Sequence, residues 1–101
     1  MITLKVKLAN SFLDKSIGLL NAKKPFPLLL KTRFGIHTFG MKYPIDVIVL
    51  NNQNSVVSLK EQLKPQSIYF WNIFFNTIIE LPAGTVKKEK ITRGSLIKLE
   101  Y

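Results

Sequence analysis

Residues 44–63 read PIDVIVLNNQNSVVSLKEQL, and this stretch decides the fold class. Val47 and Val49 alternate with Ile48 and Leu50. An extended chain here is apolar on both faces, as a strand enclosed by a core must be. Asn51, Asn52 and Asn54 follow, and Asn tolerates the left-handed backbone of hairpin turns. A second strand runs on until Pro65 ends its extension. The unit is strand, Asn-rich turn, strand.

Toward the N-terminus, MITLKVKLAN places Ile2, Leu4, Val6 and Leu8 in alternation with Thr3, Lys5 and Lys7. That pattern predicts a half-buried strand. It contains no continuous apolar core of an export signal. Asn10 or Ser11 can cap a short helix reaching about Leu20, with Phe12, Leu13, Ile17 and Leu20 at helical spacing. NAKKPFP (21–27) is a loop, because two prolines in three residues forbid regular structure. LLLKTR (28–33) is a short apolar strand.

Toward the C-terminus, IYFWNIFFN (68–76) as a strand is apolar on both faces. Tyr69, Trp71, Ile73 and Phe75 fall on one face, and Ile68, Phe70 and Phe74 on the other. TIIEL (77–81) is a β-branched strand that Pro82 stops. AGTVKKEK (83–90) makes one or two helical turns from Thr85. ITRGSLIKLEY (91–101) closes the chain as strand, Gly turn, strand. Many short strands with one or two short helices predict a mainly β fold, a small β-sandwich or barrel-like domain. Its 101 residues suffice for one core, so a single domain over 1–101 is expected.

Composition narrows the function. Hydrophobic residues are 47%, which suits a folded domain and excludes a disordered one. With no Cys, disulfides and thiolate metal sites are excluded. SIYFWNIFFNTIIEL (67–81), the longest apolar stretch, is interrupted by Asn72 and Asn76 and too short to span a bilayer. A cytoplasmic location is expected. Fifteen Lys and Arg against six Asp and Glu give a net charge of +9. Weak, sequence-independent polyanion binding is therefore expected. The bases are scattered, and Arg, the usual base reader, occurs only twice, which argues against specific nucleic-acid recognition.

Three stretches together resemble a known family: IHTFGMKYPIDVIVLNNQNSVV (36–57), IIELPAGTVKKEKI (78–91) and RGSLIKLEY (93–101). They are similar to the bacterial and archaeal family called domain of unknown function 192. Its pattern is a Met-containing segment, a Pro-(Ile or Leu)-Asp strand, a hydrophilic hairpin, a Glu-Leu-Pro-Ala-Gly segment and a final Gly-Asp turn. The family's early Gly-Leu-Met element appears here as Gly18, Leu19 and Leu20, and its Gly-Asp as Gly94 and Ser95. The resemblance implies a compact β-rich fold and no known activity. Many members carry an export signal, which this sequence does not show.

The candidate site residues are His37, Asp46, Glu80, Met41 and Thr85. Asp46 opens one apolar strand and Glu80 ends another. If those strands pair antiparallel, both acids sit at the same end of the sheet, and His37 can fold back toward them. One reading is an acid–base or ligand cluster of His37, Asp46 and Glu80. The other is that both carboxylates accept backbone N–H bonds around Pro44 and Pro82 and are held ionised. His37, Met41 and Asp46 are a thin ligand set, so no metal and no cofactor is expected, and Met41 reads as a core filler. No Ser lies in a G-x-S-x-G elbow. Gly40 and Gly84 read as turn residues, and Thr85 as the cap of its own helix, although PAGT (82–85) could offer N–H groups to an anion.

Tyr69, Trp71, Phe74 and Phe75 form a candidate interface, with self-association into a homodimer as the expected outcome. The leading functional reading is a non-catalytic domain that binds a small ligand or a partner. The rival is a small enzyme using His37, Asp46 and Glu80, and a third reading is a polyanion-binding module.

Overall fold

The computed structural model describes residues 1–8, 27–32, 35–37, 43–71 and 74–101. The expected helix over 10–20, Gly40 and Met41 lie outside the described residues. The elements in chain order are β1 (Ile2–Lys5), β2 (Lys7–Leu8), β3 (Leu28–Lys31), β4 (Ile36–His37), β5 (Ile45–Leu50), β6 (Val56–Leu63), β7 (Ile68–Tyr69), β8 (Thr77–Pro82), α1 (Thr85–Lys88) and β9 (Ile97–Glu100). Among the described residues the fold is mainly β with one short helix, as the strand pattern predicts.

A five-stranded sheet in the order β2-β3-β8-β5-β6 forms the centre. β5 pairs antiparallel with β6 on one side and with β8 on the other. All six residues of β5 are buried, so the double-sided apolar run has its physical reason. Each fully buried aliphatic side chain there contributes about 1.5–3 kcal/mol.

The two faces of this sheet have separate cores. On one, Leu29, Ile48, Leu50, Ile79 and Leu81 pack with Leu4, Val6, Val86 and Ile97. β1 and β9, paired parallel, and α1 cover that face. On the other, Leu28, Leu30, Ile45, Val47, Val49 and Ile78 pack with Ile36 and with half-buried Tyr43, Tyr69, Trp71 and Phe75. The two-stranded ribbon β4-β7 covers this second face.

Two expected strands are shorter than their sequences suggest. Among its described residues the aromatic run is strand only at Ile68–Tyr69, where it pairs with β4. Trp71 Nε1 donates to the Phe75 carbonyl at 2.8 Å, and Trp71, Phe74 and Phe75 lie outside any strand. Ile91 and Thr92 form no strand; residues 92–95 make a turn in which Ser95 N donates to Thr92 O at 3.0 Å. The Ser95 hydroxyl accepts from Thr92 N at 2.9 Å, so at the family's Gly-Asp position a Ser oxygen accepts a turn N–H. Gly94, at φ 93°, supplies the left-handed backbone this turn needs.

The hairpin between β5 and β6 closes as its asparagines predict. Asn51 Oδ1 accepts from Gln53 N and Ser55 N, each at 3.0 Å, and Asn54 sits at φ 59°. The ladder is interrupted between Ile45 and Val47, where Ile45 opposes Leu63 but Val47 opposes Lys60. That β-bulge puts Gln62 at φ 54°.

Candidate functional site

Asp46 is wholly buried, and its carboxylate is taken up by the backbone. Oδ1 accepts from Gln62 N at 2.9 Å, in the β6 bulge. Oδ2 accepts from Gly84 N at 3.1 Å and Val86 N at 2.9 Å. One side chain thus ties β5 to the bulge of β6 and to the start of α1. Charge-assisted bonds of this kind are the strong ones, and they offset the cost of burying a carboxylate.

This arrangement revises the reading of PAGT. Its Gly84 N–H, with that of Val86 just beyond it, does face a carboxylate, and the carboxylate is that of Asp46. Gly84 occupies the N-cap position at φ 92°, with no side-chain cap. Nothing lies within 4 Å of where its Cβ would be, so Gly is used for its backbone angle and not for space. Thr85 is the first helical residue and does not cap α1. Its hydroxyl donates back to the Pro82 carbonyl at 2.6 Å.

Glu80 behaves differently. It is 2% exposed, and among the described residues its Oε2 has no hydrogen-bond partner. Burial pushes its carboxyl up to about 8, so it is neutral at pH 7. The expectation of an ionised Glu80 accepting backbone N–H bonds is therefore corrected: Glu80 lies within β8, where the ladder to β3 and β5 already uses the neighbouring N–H groups. Tyr43 lies close enough that, after burial, Glu80 is the second cause raising its hydroxyl.

The acids do share one end of the sheet, for Asp46 pairs with Leu81 and Val47 with Glu80. Residues directly opposite in an antiparallel ladder project to the same face, and successive residues to opposite faces. Asp46 therefore stands on the α1 face with Leu81, and Glu80 on the ribbon face with Val47. His37 is placed by its backbone in β4, paired with Ile68 on the ribbon side. The sheet lies between Asp46 and the other two.

Open clefts are formed by the described residues. One of about 430 Å³ is lined by Met1, Gln53, Asn54, Leu96, Lys98 and Tyr101, among others. Another of about 390 Å³ is lined by Lys5, Val6, Lys7, Pro27 and Tyr101. Neither is lined by Asp46 or Glu80. No group of three or more His, Cys, Asp and Glu side chains able to hold a metal occurs among the described residues. No helix among them is long and apolar enough to cross a membrane.

The aromatic segment divides into an inner and an outer set. Tyr69, Trp71 and Phe75 are half-buried against the ribbon-face core. The Tyr69 and Trp71 rings lie 5.9 Å apart, and the hydroxyls of Ser58 and Tyr69 are hydrogen-bonded. Ile68, Phe70 and Phe74 are 52%, 69% and 83% exposed. Of the four candidate interface residues, only Phe74 belongs to this outer set. Ile68 and Phe70 were missed as contact residues, although the period-2 division of the run had put them on the face of Phe74. Gly35, at φ 118°, makes room for Phe70: a Cβ there would meet the Phe70 ring and the Tyr69 carbonyl, each at 2.8 Å.

Comparison with known proteins follows the same lines. A family profile described as "Uncharacterized ACR", domain of unknown function 192, matches residues 2–99. A UPF0127 protein of Pyrococcus furiosus is 30% identical over 96% of this chain and 88% of its own length. One from Pyrococcus abyssi is 33% identical over 93% and 85%. Among solved structures, a Novosphingobium aromaticivorans protein of unknown function has a TM-score of 0.70 at 14% identity, covering 88% of this chain and 70% of that one. A Sinorhizobium meliloti protein, described as a candidate transcription regulator, has a TM-score of 0.69 at 20% identity, covering 88% and 76%. At these identities the structures share the fold alone.

Proposed function

Since the chain belongs to the family domain of unknown function 192, whose description assigns no activity, we propose from its own geometry that it is a non-catalytic domain that binds a partner. The observation that carries this reading is the outward display of Ile68, Phe70 and Phe74 on a segment anchored from beneath by Tyr69, Trp71 and Phe75. Single exposed apolar residues are ordinary, but three within seven positions, on a segment whose other aromatic residues are packed against the core, have the composition of a contact surface. The enzymatic alternative has less support. Its acids stand on opposite faces of the sheet, and one is saturated by backbone N–H groups.

A surface kept for contact is not kept for folding. Phe74→Ser is therefore expected to leave the urea midpoint of the isolated protein unchanged or raised. A drop of about 2 kcal/mol or more would make Phe74 a packing residue and remove the main support for this reading.

A further inference from the structure

We infer that the outer aromatic segment docks on an anionic lipid surface, with Phe70 and Phe74 entering the boundary between headgroups and acyl chains. This rests on the reading of the segment as a binding surface and names its occupant. Two quantities choose that occupant over a second copy of the chain. The first is area. Phe70, Phe74 and half of Ile68 expose on the order of 400 Å² of apolar surface, taking about 200 Å² per aromatic side chain. A stable dimer buries roughly 800 Å² per partner, about twice that. Shallow insertion of two rings into a bilayer needs no larger patch.

The second is charge. The formal net charge is +9. Two such molecules repel, whereas an anionic surface attracts them. The local pattern agrees with the total. No acidic residue occurs between Glu61 and Glu80. Lys60 opposes Val47 across the ladder and so lies on the ribbon face, two residues from Ser58, whose hydroxyl is bonded to Tyr69. Lys64 stands at the β6–β7 turn. Exposed rings on a segment held by the Tyr69–Trp71 pair and the Trp71–Phe75 bond, with Lys60 on the same face of the sheet, combine apolar and cationic groups on the ribbon side.

The experiment is co-sedimentation of the full chain with phosphatidylcholine vesicles, with and without phosphatidylglycerol. Trp71, the single Trp, serves as reporter, and sedimentation velocity without lipid runs in parallel. The expected result is binding to the phosphatidylglycerol vesicles only, a blue shift of the Trp71 emission, and partitioning about tenfold or more weaker in Phe70→Ser/Phe74→Ser. Lys60→Gln/Lys64→Gln should weaken it in a salt-dependent way. If the double Phe variant does not fold, Phe74→Ser alone carries the test. Equal vesicle binding by wild type and the Phe variant overturns the insertion. No vesicle binding, with a dimer that the Phe variant loses, overturns the lipid occupant and keeps the contact surface. Neither vesicle binding nor self-association overturns the lipid occupant, while the partner-binding reading stands or falls on the Phe74→Ser urea midpoint.

Discussion

Asp46 and Glu80 lie one rung apart on paired strands, and their side chains leave the sheet on opposite faces. The two acids therefore have different fates. Asp46 is held by three backbone N–H groups from β6 and the α1 turn. Glu80 has no hydrogen-bond partner at Oε2 among the described residues and is kept neutral by burial.

Removing the Asp46 carboxylate should be costly. Asp46→Ala leaves Gln62 N, Gly84 N and Val86 N without their acceptor. Each unpaired donor costs about 1–3 kcal/mol, so a loss of about 3 kcal/mol or more is expected from urea unfolding. Asp46→Asn should fall between, since an amide oxygen can still accept. An unchanged midpoint in the Ala variant would mean the staple has no structural weight.

Glu80→Gln should do the reverse. The group's pKa is raised from 4.5 to about 8 on folding, so the native state binds the extra proton between those values. Stability is then greatest below about pH 4.5 as far as this group is concerned. It is lost progressively as pH rises toward 8 and levels off beyond, by a few kcal/mol in all. Among the described residues Tyr43 is the one other titratable side chain shown to interact with it. Glu80→Gln should flatten that slope and match or exceed wild-type stability at pH 8. A wild-type profile that rises from pH 5 to 8 through this group would contradict it.

Gly35→Ala should loosen the ribbon. The new Cβ meets the Tyr69 carbonyl and the Phe70 ring at 2.8 Å, and φ 118° is strained for any L side chain. A loss of about 2 kcal/mol is expected, with a changed Trp71 fluorescence in the folded state. Full retention of both would show that the ribbon yields without cost.

Heparin retention tests the charge independently of the aromatic segment. At low ionic strength the protein should be retained and should elute steeply with salt, because counterion release supplies the affinity. Flow-through at low salt would remove the polyanion expectation.

Much of this fold can be read without coordinates. The double-sided run of β5, the Asn-rich turn and the N-terminal alternation are local signals, written within a few residues of the element they specify. The division of 68–75 into two sets is legible too. Which set faces out is not, because that depends on the sheet that β4-β7 covers. Met41 and the early helix lie outside the described residues, and His37 is placed by its backbone alone.

The sequence by itself determined that β5 is enclosed on both faces and that Asp46 opens one apolar run while Glu80 ends another. Only the tertiary structure decided that these acids do not meet. The deciding fact is the register of β5 against β8, Asp46 opposite Leu81, between residues far apart in the chain. Side chains alternate with a period of two, so slipping that register by one residue would carry Glu80 to the face of Asp46. Local composition does not encode that parity; long-range packing of the two cores selects it.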